Sequence, residues 1–587
     1  MIKILLILFS SSLVIIGLTV LMQHLVSEKE IAIPNDTYLD YYPVDFVKLE
    51  QHQDVESKGR LFSRLSMAMI SEPNFEAMTK PADENHSSQN TVIVSSNAVA
   101  PVSVSHKENY ASYQENGIIL TEGKPVSTFS IDVDTGSYSN LRRLLNMGSV
   151  PMRDSIRVEE MINYFAYGYP VPATVDVPFS ISTELAPSPW NTGKHILRIG
   201  LKGYEVEERL PANLVFLIDV SGSMVQPNKL PLVKASLHLL VSQLGSDDIV
   251  SIVTYAGRAA VVLDATRIKD ASLINDAIEN LAAGGSTYGE GGLKAAYQIA
   301  SANFMVDGIN RVILATDGDF NVGMSDVQGM KEFISRQRKS GIGLTALGYG
   351  MGNYNDEMLE QLADAGNGNH AYIDNLNEAR KVLVHQLTAT LQTIAEDVKI
   401  QVEFNPGVVA EYRLIGYENR SLAREDFNND KVDAGEIGAG HMVTALYELT
   451  LVGSANSSID PLRYGRTVTH SRVDEVAMLK LRYKLPAQSQ SRLISQVVMI
   501  GELVETASND TMFAAAVAGF GQLLKGGKYI EADYQQILQS ARESAGSNPA
   551  RLEFVEMIEL SMALQSALAG LSDNKPAPGK RLMSSLQ

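Results

Sequence analysis

The chain has 587 residues, of which 45% are hydrophobic and 20% are charged, and its formal net charge is −19. This length suffices for about three or four domains, and the composition predicts that most of the chain folds. The negative net charge argues against a surface that binds nucleic acid by neutralising its phosphates. Because the sequence contains no cysteine, disulfides, zinc–thiolate sites, thiol catalysis and a lipid-modified amino-terminal cysteine are all excluded.

The amino-terminal residues predict a membrane segment. Residues 4–26 are apolar except for three serines, a glycine, a threonine, a glutamine and a histidine, and about 20 such residues suffice for a spanning helix. Lys3 and the amino terminus precede this run, and Glu28, Lys29 and Glu30 follow it. The resulting small excess of positive charge before the run predicts that the short end lies in the cytoplasm and the bulk of the chain outside it, in the cell envelope. We therefore predict an anchor over 1–26. A cleaved signal peptide is the alternative, although no small-x-small cleavage site is obvious after the run.

Residues 27–110 are polar and lack clear periodicity. We interpret them as a mostly disordered spacer that holds the folded body away from the membrane, and a tolerated tail without function is the alternative. A flanking α+β region is predicted for 111–205. It opens with a strand ending near Asp134, and a helix is predicted from Tyr138.

Asp132 and Asp134 end this first strand, as paired aspartates do in phosphotransferases of the haloacid dehalogenase type. That motif needs a Thr two residues after the second Asp, whereas Gly136 stands there and Thr135 follows Asp134 directly. The alternation that begins at Phe129 places both aspartates on a polar face. We therefore favour a cap for the coming helix, by Asp134 or Thr135, over a catalytic role.

From 206 to 395 apolar strands and amphipathic helices alternate, which is typical of a doubly wound sheet with helices on both faces. The first strand of this predicted α/β domain is an apolar run, Leu214–Ile218, that leads into Asp219-Val220-Ser221-Gly222-Ser223. The last predicted helix of the domain covers Leu376–Ala395.

Three parts of the α/β domain are expected to converge. The first carries Asp219, Ser221 and Ser223, the second is a glycine turn that delivers Thr287 to the start of a helix, and the third places Asp317 at the end of a strand. Strand ends and helix starts on one edge of a parallel sheet are neighbours, so two carboxylates and three hydroxyls can surround one point. Hard oxygen donors with an open coordination position suit Mg²⁺ or Mn²⁺ better than zinc or copper.

The pattern Asp-x-Ser-x-Ser, then a Thr, then an Asp, is similar to the metal-ion-dependent adhesion site of von Willebrand factor type A domains. This resemblance implies that Ser221, Ser223 and Thr287 contact the ion, and that Asp219 and Asp317 do so directly or through water. It also implies a protein partner that offers Asp or Glu to the ion.

A second likeness covers more of the chain. Residues 127–135, 159–165 and 417–420 resemble the flanking regions of the bacterial YfbK-like family of membrane-associated type A domain proteins. The resemblance extends over about 105–570 and implies an architecture more than a reaction.

The residues that flank the five ligands are predicted to form the partner-binding rim: Met224, Tyr288, Asp319, Phe320 and Asn321. The three loops contain no histidine, and Asp319 is the only additional carboxylate beside them. Catalysis at a metal needs a general base or a positioned nucleophile. We therefore predict a binding module that is not an enzyme and takes neither nucleic acid nor a small-molecule substrate.

After the α/β domain, residues 396–574 return to strands of period two and then, from Arg492, to helical patterns, before a polar tail at 575–587. Similar strands precede the α/β domain, so we predict that this domain is inserted into one β-rich body.

The segment Asp426–Glu436 begins like a calcium-binding loop. Lys431 stands where that loop requires Gly, and Ile437 stands where it requires Glu. An ordinary acidic turn is therefore favoured over an ion site.

The predicted fold is α/β: a doubly wound, mostly parallel sheet inserted in a β-rich α+β body, with an amino-terminal transmembrane helix and a carboxyl-terminal helical region. The predicted function is that of a membrane-anchored, extracytoplasmic module that captures a partner carboxylate through a divalent cation. Two alternatives are kept: an Mg²⁺-dependent hydrolase, and an assembly scaffold, such as a partner of an AAA+ ATPase, in which the ion is structural.

Overall fold

The computed structural model describes residues 108–174, 176–286, 289–318, 327–460, 472 and 474–573. The predicted membrane segment, the polar tail and most of the predicted spacer lie outside these residues. Across the described ranges, no helix is long and apolar enough to cross a bilayer. Glu108 and Tyr110 are buried, so the last residues of the predicted spacer, 108–110, are part of the folded body.

The described residues that precede the α/β domain form strands and helices of the body. They are β1 (Ile119–Leu120), β2 (Val126–Ser130), α1 (Gly136–Asn146), α2 (Val158–Asn163), β3 (Phe179–Pro187) and β4 (His195–Gly203). Helix α1 buries Leu141, Leu144 and Leu145, as their three- and four-residue spacing predicted.

Asp132 and Asp134 lie between β2 and α1 and are only 3% and 4% exposed. Thr135 precedes α1 without a side-chain capping hydrogen bond, so the predicted cap by Asp134 or Thr135 was wrong. Asp134 Oδ1 instead accepts a hydrogen bond from the backbone N–H of His370 at 2.8 Å. The guanidinium of Arg420 lies 3.3 Å from Asp132 and 3.6 Å from Asp134. Both aspartates are buried because the α/β domain packs over this turn.

The α/β domain is built on a six-stranded sheet with the order β10-β9-β8-β5-β6-β7. Its strands are β5 (Ala212–Asp219), β6 (Ile249–Tyr255), β7 (Ala259–Arg267), β8 (Ile309–Thr316), β9 (Gly343–Tyr349) and β10 (His370–Ile373). Neighbouring strands are parallel except for the pair of β6 and β7, which is antiparallel. Every residue of β5 is buried, because helices cover both faces of a sheet of this kind.

The helices of this domain are α3 (Leu230–Val241), α4 (Ala271–Glu279), α5 (Gly289–Ala302), α6 (Val327–Lys339), α7 (Asp356–Ala365), α8 (Leu376–Arg380) and α9 (Leu387–Leu391). A π-helical segment, Lys381–His385, lies between α8 and α9. The single helix predicted over Leu376–Ala395 was therefore wrong at its end, because the chain enters a strand of the body at Thr393.

The strands that follow are β11 (Thr393–Phe404), β12 (Val409–Ile415), β13 (Gly435–Gly438), β14 (Met442–Leu451), β15 (Glu475–Lys484) and β16 (Arg492–Met499). One sheet of the body has the order β1-β12-β14-β4-β3, and in a second sheet β2 pairs with β11. Strands from before and after the α/β domain therefore belong to the same sheets, as the predicted insertion requires.

The described chain ends in helices α10 (Asn509–Lys525), α11 (Tyr534–Ala545) and α12 (Pro549–Asp573). Residues 492–499 form the strand β16, so the prediction that helices begin at Arg492 was wrong. The three helices share a core with α1, α2 and Trp190. Trp190 is 3% exposed and its indole N–H donates to Glu448 at 2.9 Å.

Buried charges lie where the α/β domain meets the body. We call six carboxylates there, each at most 7% exposed, the interdomain acid cluster: Asp132, Asp134, Glu159, Glu160, Asp356 and Glu360. Two arginines neutralise part of this charge. Arg157 lies 2.6 Å from Glu360 on α7, and Arg420 lies 3.5 Å from the same carboxylate.

Candidate metal site

The first part of the predicted site is the turn that follows β5. Asp219 and Ser221 are 0% and 1% exposed. Asp219 Oδ1 accepts a hydrogen bond from the backbone N–H of Ser221 at 2.8 Å, and the hydroxyl oxygens of Ser221 and Ser223 lie 2.9 Å apart. A short 3₁₀ turn, Gly222–Val225, turns the chain so that both serines share one side of the loop. The turn thus presents one carboxylate and two hydroxyls together.

Asp317 comes directly after β8, the parallel neighbour of β5. The remaining oxygen of Asp219, Oδ2, accepts hydrogen bonds from Thr316 at 3.2 Å and from Tyr255 at 3.3 Å. The Ser223 hydroxyl lies close enough to Asp317 to help lower the pKa of that carboxyl. Asp219 and Asp317, which come from separate motifs, therefore lie close together, with hydroxyl groups beside both carboxylates.

The electrostatics of the two aspartates differ. Burial raises the pKa of Asp219 to about 6, the nearby charge of Asp317 adds to this rise, and hydrogen bonds from Ser221 oppose it. Burial also favours a raised pKa for Asp317, but the ammonium of Lys229 outweighs burial and lowers that pKa. Asp219 instead accepts hydrogen bonds from the Ser221 amide and from the hydroxyls of Tyr255 and Thr316.

Thr287 lies outside the described residues, but the turn that leads to it is in place. The backbone N–H of Gly284 donates to Val220 O at 2.7 Å, and the N–H of Gly222 donates to Gly285 O at 3.0 Å. These two bonds join the glycine turn to the loop that carries the serines. They bring the chain before Thr287 to the same edge of the sheet.

Lys229 is a site residue that the sequence pattern did not reveal. It lies just before α3 and is 3% exposed. Its Nζ donates to Asp317 Oδ2 at 2.8 Å and to Asn353 Oδ1 at 3.1 Å. A basic residue at a helix amino terminus is electrostatically unfavourable, and this is the one signal in the sequence that marks Lys229.

The loop after β9 packs directly against the end of β8. Gly318 has a φ of +92°, and a Cβ at this position would lie 2.4 Å from the backbone nitrogen of Asn355. Glu108 supports the loop from the other side by accepting a hydrogen bond from the N–H of Gly352 at 2.9 Å. Arg143 of α1 holds Glu108 at 2.9 Å. Part of the site is therefore supported by the body.

The predicted rim is described only at Met224. Met224 was expected to face a partner, but it is 0% exposed and belongs to the core beneath α3, so this expectation was wrong. Val225, the next residue, is 65% exposed. Tyr288, Asp319, Phe320 and Asn321 lie outside the described residues.

Comparisons with known proteins agree with this architecture. A family model for the von Willebrand factor type A domain matches residues 213–387, one described as von Willebrand factor matches 104–198, and one described as the carboxyl-terminal region of uncharacterized protein YfbK matches 389–564. The chain is 45% identical over 466 residues to uncharacterized protein YfbK of Escherichia coli (strain K12), covering 77% of this chain and 80% of that protein. The chain belongs to the YfbK family of type A domain proteins.

Other proteins show weaker similarity to the chain. An uncharacterized protein of Synechocystis is 26% identical over 339 residues, which is 57% of this chain and 76% of that protein. Among solved structures, a von Willebrand factor type A protein from Catenulispora acidiphila is 15% identical, covers 70% of this chain and 89% of its own, and superimposes with a TM-score of 0.37. Type A domains mediate protein–protein interactions and commonly bind a divalent metal.

A separate acidic cluster lies on the YfbK-type body, partly within the segment that resembles a calcium loop. Carboxylate oxygens of Asp397, Asp433 and Glu436 lie within 4.8 Å of one another. Two cations already contact it: Lys484 lies 2.6 Å from Asp397, and Arg338 lies 2.7 Å from Asp433. These ion pairs neutralise much of the negative charge in the cluster.

Proposed function

We propose that this YfbK-family protein is a protein-binding module that captures a partner carboxylate through a divalent cation held at the edge of the type A sheet. The observation that carries this proposal is the convergence of Asp219, Ser221, Ser223 and Asp317 at the ends of two adjacent strands. The cation is Mg²⁺ or Mn²⁺, because the donors are carboxylate and hydroxyl oxygens. Thr287 is proposed as the fifth ligand.

The small negative charge of the donor atoms supports the proposal that a bound cation can still bind a partner carboxylate. Hydroxyls are neutral and only two carboxylates contribute negative charge, so a bound divalent ion retains positive character and an open coordination position. A partner Asp or Glu can complete the shell with a charge-assisted contact. The protein contributes rigid strand ends that hold the donors in place.

Binding is favoured over catalysis by the groups that touch the two aspartates. In the described part of the chain, hydroxyl groups of Thr316 and Tyr255 donate to Asp219, and the ammonium of Lys229 donates to Asp317. Groups that donate hydrogen bonds in this way suit the holding of an ion more than the removal of a proton. Asp132 and Asp134, the other candidates for hydrolase chemistry, are buried beside Arg420.

Capture of a partner from solubilised membranes tests the proposal. The full chain is used as bait with Mg²⁺, with EDTA, and as the Asp219→Ala variant with Mg²⁺. We expect one or more partners that are retained only by the wild type with Mg²⁺. Asp307→Ala is the matched control, because this exposed carboxylate precedes β8 at its other end. Equal capture in all arms would contradict recognition through the ion.

We propose further that residues 4–26 anchor the protein in a membrane and that the folded body lies outside the cytoplasm. The apolar run and the position of Lys3 support this orientation. A reporter that functions only in the cytoplasm, fused after Gln587, should be inactive. An active reporter would contradict the orientation without affecting the metal proposal.

A further inference from the structure

Lys229 places a positive charge inside the proposed metal site. Its side chain is 4% exposed and its Nζ is held between Asp317 and Asn353. A buried ammonium needs charged or polar partners, and these two residues provide them. The contact is therefore a fixed part of the site.

The packing around the lysine stem shows the same fixation. Gly350 has a φ of +76°, and a Cβ at this position would lie 2.4 Å from both Cγ and Cε of Lys229. The loop after β9 thus lacks a side chain at the point where the lysine passes. This close approach leaves the ammonium little freedom to turn away from Asp317.

The charge of the site follows from these contacts. Two aspartates give the donor set a charge of about −2, and Lys229 reduces it to about −1. With a divalent cation the loaded site is positive overall, whereas without Lys229 it would be neutral. Opposite charges at such short range interact strongly in a buried environment.

We propose that Lys229 is a built-in counter-charge that weakens binding of the divalent cation and keeps the loaded site positive, so that it attracts an anionic ligand. This inference rests on the proposed function and adds a residue that lowers the affinity of the site for the cation while it raises the attraction of the loaded site for an anionic ligand. Asp317 is shared between the lysine and the ion, and Asn353 holds the lysine in position.

Calorimetric titration of the purified full chain with Mn²⁺ alone tests this role. Lys229→Met keeps most of the length and apolar stem of the side chain and removes its charge. We expect Lys229→Met to bind Mn²⁺ at least about tenfold more tightly than the wild type, because a repelling charge is lost. Lys234→Met removes a charge on the same helix, where Lys234 Nζ bonds to the carbonyl oxygen of Glu279, and should bind Mn²⁺ like the wild type.

Thermal unfolding in EDTA shows whether the variant folds and whether the lysine acts on the site. Lys229→Met should unfold at a lower temperature than the wild type in EDTA, because Asp317 loses its cation. Saturating Mn²⁺ should stabilise Lys229→Met more than it stabilises the wild type. A purely structural lysine would lower stability in both conditions and weaken Mn²⁺ binding.

The outcomes separate the inference from the proposed function. Mn²⁺ binding that is equal or weaker in Lys229→Met than in the wild type overturns the role of Lys229 and leaves the metal proposal standing. If the wild type does not bind Mn²⁺, the metal proposal is contradicted. If Lys229→Met then binds Mn²⁺, the result still supports a lysine that weakens binding of the cation. If Lys229→Met does not bind Mn²⁺ either, the inference is overturned as well.

Discussion

Replacing Glu360 by Gln should change how the stability of the protein depends on pH. Glu360 lies on α7 within the interdomain acid cluster, where it accepts hydrogen bonds from Arg157 at 2.6 Å and from Asn419 at 2.7 Å. Burial raises the pKa of Glu360 from 4.5 to about 8 despite the two nearby arginines. Burial likewise raises the pKa of Glu159 to about 7.

The sign of the effect follows from these raised values. Between pH 4.5 and about 8 the folded protein holds a proton at Glu360 that the unfolded chain has released. The stability that the protonated Glu360 contributes is fully present below pH 4.5, and it is lost as the pH rises through the pKa of Glu360 in the folded protein. A difference of one bound proton between the folded and unfolded states changes the free energy of unfolding by about 1.4 kcal/mol per pH unit. The change over this pH range can therefore reach at most about 5 kcal/mol.

The clustered carboxylates titrate together, so only part of this limit belongs to Glu360. Glu360→Gln is neutral at every pH, and its one side-chain oxygen can accept a hydrogen bond from either Arg157 or Asn419, which donate to different oxygens of Glu360. We expect the free energy of unfolding of Glu360→Gln to rise relative to that of the wild type by about 1–3 kcal/mol between pH 5.5 and 8.5.

Urea unfolding at four pH values provides the measurement. The single tryptophan, Trp190, is buried in the body and reports unfolding through its fluorescence. Glu332→Gln is the matched control, because Glu332 is an exposed carboxylate on α6, and it should follow the wild-type pH dependence. Identical pH dependence of the wild type and Glu360→Gln would refute the reasoning.

Two further substitutions test the support of the site. Gly318→Ala forces a side chain into a backbone with φ +92° and against Asn355, so urea unfolding should show a loss of at least about 1–3 kcal/mol; unchanged stability would contradict the close approach. Glu108→Gln removes the partner of the buried Arg143, and urea unfolding at pH 7 should show a loss of about 3–5 kcal/mol. Arg143 outweighs burial and lowers the pKa of Glu108, so the wild-type stability from this pair is lost as the pH falls below 4.5. The Glu108→Gln variant should lack that acid sensitivity, and an equal loss in both proteins would contradict the ion pair.

Local patterns in the sequence predicted much of the architecture. Apolar runs such as Leu214–Ile218 mark buried parallel strands, and strands on both sides of the α/β domain indicated one body with an insertion. The motif placed Asp219 and Asp317 at strand ends, and adjacent parallel strands bring such ends together. These features depend on periodicity and on short spacings, which a single sequence displays.

The contacts that the sequence did not reveal join residues far apart in the chain. Lys229 and Asp317 are separated by 88 residues, and Asp134 and His370 by 236. Asp134 was predicted to cap a helix because it stands just before one in the sequence. In the structure, its carboxylate instead contacts His370 of the α/β domain. Met224 looked exposed because it flanks ligands, but the 3₁₀ turn directs it into the core beneath α3. No local pattern encodes these packing events.

Manganese anomalous scattering from crystals of the full chain soaked in Mn²⁺ tests the metal site most directly. We expect a strong anomalous peak within bonding distance of the Ser221 and Ser223 hydroxyl oxygens, and its absence in crystals of Asp219→Ala. A peak at Asp397 and Glu436 alone, or none near the two serines, would contradict the proposed site.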